Sequence, residues 1–159
     1  VAVKQSLKKT KVLDRKTIIY TSDFLRSKQT AQIASQHLKS LKPVLAKELR
    51  ERFFGRLENG PAENIFPDVW RLDAVSKKQK SNGVESVEEV LNRITKLVKR
   101  LEKKYQEQKI LLVSHGDPLQ ILEAAFLKQS QYENQAVKMM QRGELREFKF
   151  KKAAAQRLN

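Results

Sequence analysis

The sequence predicts an α/β fold, three layers deep, with a mostly parallel sheet and helices on both faces. Three observations carry this expectation. Two short apolar runs, at 17–21 and 110–114, each lead directly into a helix start. Between them lies a long amphipathic helix of the kind that crosses from one parallel strand to the next.

Taken in order, Thr17-Ile18-Ile19-Tyr20-Thr21 is rich in β-branched residues and predicts a buried strand. Ser22 follows as a candidate N-cap for a helix over 23–38. The stretch 56–83 shows no periodicity and holds Gly60-Pro61, Pro67, the sole tryptophan Trp70 and Lys77-Lys78-Gln79-Lys80. It predicts a loop-rich insertion over a pocket, or else a satellite cluster around Phe66, Val69 and Trp70. Ser86 and Glu89 have the spacing of a capping box. Behind them Val87, Val90, Leu91, Ile94, Leu97, Val98 and Leu101 share one helical stripe, with lysines and arginines opposite. Ile110-Leu111-Leu112-Val113-Ser114 is apolar up to its last residue, as a parallel strand buried on both faces must be. Asp117 then reads as N-cap and Pro118 as first helical residue of a helix reaching about Lys128. Alternation over 145–150 predicts a final edge strand.

Composition narrows the function classes. The 159 residues hold 33 basic and 18 acidic side chains, a net charge of +15, and suit a single domain over 1–159. No apolar run approaches the roughly 18 residues of a membrane span, and no signal peptide opens the chain. Cysteine is absent, which excludes disulfides, thiolate nucleophiles and cysteine-bound metals and fits a cytoplasmic setting. The basic surface attracts anions such as nucleic acid, acidic lipid or phosphorylated metabolites. With no aromatic-interleaved basic motif and no helix-turn-helix pattern, nucleic acid is disfavoured, and no membrane partner is expected.

Three residues stand where chemistry is expected. His115, in Ser114-His115-Gly116, directly follows a parallel strand and precedes a helix N-terminus. Ligands of open α/β sheets bind at that edge, and a helix start adds N–H donors for a phosphate. Gly116 lets the backbone approach such a ligand closely. Arg26 lies one turn into the helix after the first strand, where a guanidinium can fork two phosphate oxygens. Glu51, in Leu49-Arg50-Glu51-Arg52-Phe53-Phe54-Gly55, has aromatic neighbours that can raise a carboxyl pKa and suit it to general-acid work. The other histidine, His37, reads as a surface or boundary residue of the first helix.

With these motifs in view, the chain resembles the histidine phosphatase superfamily, the phosphoglycerate-mutase-like proteins. Residues 20–31 look like its Ser-x-x-x-Arg-x-x-Gln-Thr-Ala element, and 49–55 like its acid-bearing Leu-x-Glu-Arg-x-x-Gly element. Gly83-Val84-Glu85-Ser86 with Arg93 is similar to its Gly-Glu-Ser helix start, and 113–116 to its second histidine motif. The first two segments look most like the fructose-bisphosphatase branch. The resemblance implies a phosphatase or mutase of small phosphorylated metabolites, working through a phosphohistidine without cofactor or metal. It implies Arg26 as a phosphate ligand beside the Gly116 backbone already read as one, His115 as stabiliser of the transferred group and Glu51 as proton donor. Arg52 would contact substrate phosphate or carboxylate.

The family's nucleophile is the histidine of an Arg-His-Gly motif on a central strand, and residues 1–159 contain no such motif. Residues 1–11 correspond to the helix after that strand. The chain opens at Val1 without an initiator methionine, so the expectation is a domain incomplete at its N-terminus, inactive as it stands and with strands left unpaired. The alternative is an inactive pseudophosphatase or a basic anion-binding or nucleic-acid-binding module.

Overall fold

A computed structural model describes residues 2–127 and 137–148, with the backbone path alone over 62–66. The run at 17–21 forms β1 (Ile18–Thr21) and that at 110–114 forms β3 (Ile110–Val113). These two strands pair directly and in parallel, from Ile18 opposite Ile110 to Thr21 opposite Val113. A two-residue β2 (Val44–Leu45) lies on the other side of β1, so the order is β2-β1-β3. Among the described residues β1 is central and hydrogen-bonded on both sides, whereas β3 stands at the end of the order and is paired on one side only.

Side chains alternate across β1 and β3, and helices pack on both faces there, while both β2 residues are exposed. Ile19 and Leu111 meet Val3 and Leu7 of α1 (Ala2–Lys9) and Ala31 and Ala34 of α2 (Leu25–Leu38). On the opposite face Tyr20, Ile18, Ile110 and Leu112 meet Leu97 and Leu101 of α4 (Val87–Lys104). The α4 stripe continues through Val87, Val90, Ile94 and Val98 onto Ile121 and Leu122 of α5 (Gly116–Phe126). Helix, sheet and helix make the three expected layers. The capping box is present at α4, with Ser86 Oγ accepting the Glu89 N–H and the Glu89 carboxylate accepting the Ser86 N–H. No helix among the described residues is long and apolar enough to cross a membrane.

Four local expectations are corrected. The stretch 56–83 contains α3 (Ala62–Val75), with Pro67 inside it. Its buried stripe includes Asp73, one turn after buried Val69, and a carboxylate in that place disguises the apolar period. Phe24, not Ser22, is the N-cap of α2; Ser22 Oγ accepts the Phe24 N–H from outside the helix. His115 is the N-cap of α5, which puts Asp117 and Pro118 inside the first turn, where proline's missing N–H costs nothing, and the helix ends at Phe126. Residues 145–148 form no strand; Leu145 packs on the cluster between α1, α2 and the sheet. Positions 149–150 of the expected strand, and Lys128, lie outside the described residues.

Candidate active site

The carboxyl ends of β1 and β3 deliver Ser22 and His115 side by side. Ser22 N–H donates to Val113 O at 3.0 Å, which holds the two strand exits together. His115 is 6% exposed, and its ring is fixed from two sides. Arg26 Nε donates to His115 Nδ1 at 3.1 Å, so Nδ1 is the acceptor and the ring proton sits on Nε2. Nε2 faces Ser22 Oγ at 2.9 Å and Ser27 Oγ at 3.2 Å. Phe24 packs edge-on against the imidazole at 5.3 Å, with the Arg26 and Arg50 guanidinium groups over its own ring. Burial, then the positive charges of Arg26 and Arg93, hold the imidazole down to about 4, with Asp23 opposing. The histidine is therefore neutral at pH 7.

Glu51 reaches the same spot from the segment after β2. Its Oε2 stands 3.8 Å from Arg26 Nη2 and 3.8 Å from His115 Nδ1. Several bonds hold that segment. Ser114 Oγ donates to Leu49 O at 2.8 Å, and Arg93 donates to the carbonyls of Arg50 and Glu51 while paired with Glu85 at 2.7 Å. Burial pushes the Glu51 carboxyl up to about 7. The Arg52 N–H, Arg26 and Arg93 pull the other way, and the charge of Asp117 adds to the rise. The site thus holds a carboxyl that titrates near neutrality beside a neutral histidine and an arginine whose side chain is 63% exposed. Such a combination has the chemistry to bind an anion and to give up one proton.

Arg26, Glu51, His115 and Gly116 are brought to one edge. Gly116 is the first residue of α5 and directly follows His115. Arg52 is not presented there. It is 1% exposed, donates to both Asp73 oxygens at 2.7 Å, and also reaches Asp117 Oδ2 at 3.3 Å and Glu85 O at 2.6 Å. His37 lies exposed in the last turn of α2. Sequence reasoning missed Ser22 and Ser27 as partners of His115, and missed Phe24, because single hydroxyls and one ring carry no period. The Asp23–Arg50 pair at 2.6 Å was also unreadable, since its members are far apart in the chain. Beside Glu51 opens a cleft of about 590 Å³ whose walls include Lys47, Arg50, Lys80 and Arg93 with Glu85 and Glu89. Among the described residues no three histidine, aspartate or glutamate side chains are gathered to hold a metal ion.

Known proteins resemble this chain in sequence and fold. The sequence pattern of the histidine phosphatase superfamily (branch 1) matches residues 2–158. Phosphoglycerate mutase-like protein 4 of Arabidopsis thaliana is 27% identical over 109 residues, covering 65% of this chain and 47% of its own length. The uncharacterized phosphatase PhoE of Bacillus subtilis (strain 168) is 28% identical over 113 residues, covering 66% of this chain and 50% of its own. The chain thus spans about half the length of these curated relatives. Mycobacterial glucosyl-3-phosphoglycerate phosphatase, solved with inorganic phosphate, superposes with a TM-score of 0.70 at 26% identity, covering 87% of this chain and 70% of that one. By its sequence pattern and its fold, the chain belongs to the histidine phosphatase superfamily.

Proposed function

We propose that this site transfers the phosphoryl group of a small phosphorylated metabolite. The observation that supports the reading best is the meeting of Arg26, Glu51 and His115, from three separate segments, at the carboxyl edge of a parallel sheet. The exposed Arg26 guanidinium and the N-terminus of α5 at Gly116 receive the phosphate oxygens. A phosphate dianion beside His115 raises the imidazole pKa, so Nδ1 gains a proton and becomes a donor to the transferring group. Glu51 carries its proton near neutral pH and delivers it to the ester oxygen as the P–O bond breaks. The basic wall of the adjoining cleft suits the rest of an anionic substrate.

In a phosphohistidine route the new P–N bond forms on a second histidine, and water breaks it in the next step. His37 is exposed in the last turn of α2, away from His115, and does not serve as that second histidine. The sequence holds only two histidines, and this favours one second reading, a phosphate-binding protein without turnover.

Titrating the protein with inorganic phosphate while following the His115 ring by NMR tests the binding half. Arg26→Ala should weaken phosphate roughly tenfold to a hundredfold, the worth of charge-assisted hydrogen bonds. Equal affinity in the two proteins sinks the reading. Release of phosphate from a phosphomonoester, lost in Glu51→Gln by about 10²-fold or more, separates enzyme from binding protein.

A further inference from the structure

A buried charge cluster lies directly behind the site, and the phosphoryl-transfer reading makes no use of it. Arg52, Asp73 and Asp117 are each 1% exposed. They come from three places: the segment after β2, α3 and the first turn of α5. Their positions in the chain matter. Arg52 is the residue after Glu51, and Asp117 is the second residue after His115. The 3.3 Å contact between Arg52 Nη1 and Asp117 Oδ2 therefore joins residues one and two positions beyond the two site residues. Asp73 grips the same guanidinium through both oxygens at 2.7 Å, so the fork cannot swing. From the backbone side, Arg52 N–H donates to Glu51 Oε1 at 3.0 Å.

We propose that Arg52 is a positioning residue: a buried strut that sets the distance between the Glu51 carboxyl and the His115–Arg26 pair. Its guanidinium is anchored on α3 and α5, and its own N–H aims the Glu51 side chain. Substrate never touches it. A lysine in its place keeps the charge but loses the planar fork, so it cannot hold Asp73 through two bonds and Asp117 through a third. The charged groups facing Glu51 are Arg26 from α2, Asp117 from α5 and Arg93 from α4, with the neutral His115 ring at the cap of α5 and the Arg52 backbone N–H beside them. A loosened strut lets water reach the carboxyl among them.

The proposal rests on Glu51 being the proton donor, but its test does not depend on turnover. The Glu51 carboxyl is titrated by carbon-13 NMR in the wild-type chain and in Arg52→Lys, with inorganic phosphate affinity measured alongside. The wild-type midpoint is expected near 7. In Arg52→Lys it should fall by about one pH unit or more toward the ordinary carboxyl value. Phosphate affinity should stay within about twofold, because Arg26, His115 and the start of α5 are untouched. A folded Arg52→Lys protein with an unmoved Glu51 midpoint overturns the proposal. So does a loss of phosphate affinity matching that of Arg26→Ala, which would make Arg52 a ligand. Should Arg52→Lys fail to fold, Asp73→Asn breaks the two-pronged grip on the guanidinium and leaves the Asp117 charge beside Glu51 in place. The same fall in midpoint is then expected, and its absence overturns the proposal. A merely structural Arg52 would lower the melting temperature without moving the Glu51 titration. If Glu51→Gln leaves catalysis intact while Arg52→Lys shifts Glu51, the donor reading fails and the strut stands.

Discussion

At the scale of single residues, Glu51 and His115 are displaced in opposite directions by the same burial. Glu51 rises from 4.5 to about 7, while His115 falls from 6.5 to about 4. Between pH 4.5 and 6.5 the folded protein holds one extra proton on Glu51, so that group stabilises less as pH rises. Over the same window the unfolded chain holds one extra proton on His115, so that group stabilises more as pH rises. The two slopes cancel. Glu51→Gln removes one and exposes the other. Denaturant unfolding of this variant should lose stability relative to wild type on going from pH 6.5 to 4.5, by up to about 2.5 kcal/mol. Parallel pH curves for the two proteins would mean that Glu51 is not a raised carboxyl.

At the scale of elements, the parts legible in the sequence were those with a period or a cap. The α4 stripe and its Ser86–Glu89 box gave both the start and the buried face of the helix, because each position depends only on neighbours three or four residues away. The strands at 18–21 and 110–113 were equally plain from unbroken apolar runs. The helix α3 was hidden because Asp73 fills a core position, and only Arg52, distant in sequence, explains it. For the same reason His115, Arg26 and Glu51 could be named as candidates from the sequence, while their hydroxyl partners and the buried ion pairs of Arg52 could not. The turn at Gly55 shows how far such long-range dependence goes. Gly55 has φ of +57°, and a Cβ there would lie 2.1 Å from Asn82 O and 2.5 Å from Gly83 C. Gly83 also has a positive φ, of +73°, yet the nearest atom to a Cβ there is Gly55 Cα at 3.8 Å. Gly83→Ala should therefore cost only the left-handed penalty, about 1–2 kcal/mol. Gly55→Ala should cost more, since backbone must shift as well. Equal losses in thermal unfolding would show that the two turns do not press together. Glu85 follows these turns and pairs with Arg93, so Gly55→Ala should also disturb the Glu51 segment.

At the scale of the whole molecule, a charge of +15 on 159 residues acts on every anion and on the fold itself. Like charges repel in the compact state, and salt screens them over about 10 Å at 0.1 M. Sodium chloride should thus raise the melting temperature steadily, with no preference for any one site. Phosphate adds a second effect. A ligand bound only by the folded protein stabilises it by mass action, by about 2.7 kcal/mol at a hundred times its dissociation constant. At matched ionic strength, phosphate should therefore raise the melting temperature above chloride, and Arg26→Ala should erase the difference while leaving the chloride slope intact. An excess that survives in Arg26→Ala would place the anion elsewhere on the basic surface. Oligonucleotides give the remaining contrast. A backbone binder loses about 0.9 log units of affinity per phosphate contact for each tenfold rise in salt, whereas binding through one guanidinium and a helix start depends on salt weakly. Weak and salt-flat oligonucleotide binding, together with a phosphate effect that needs Arg26, is the outcome expected of a molecule whose general charge draws anions in and whose sheet edge selects one of them.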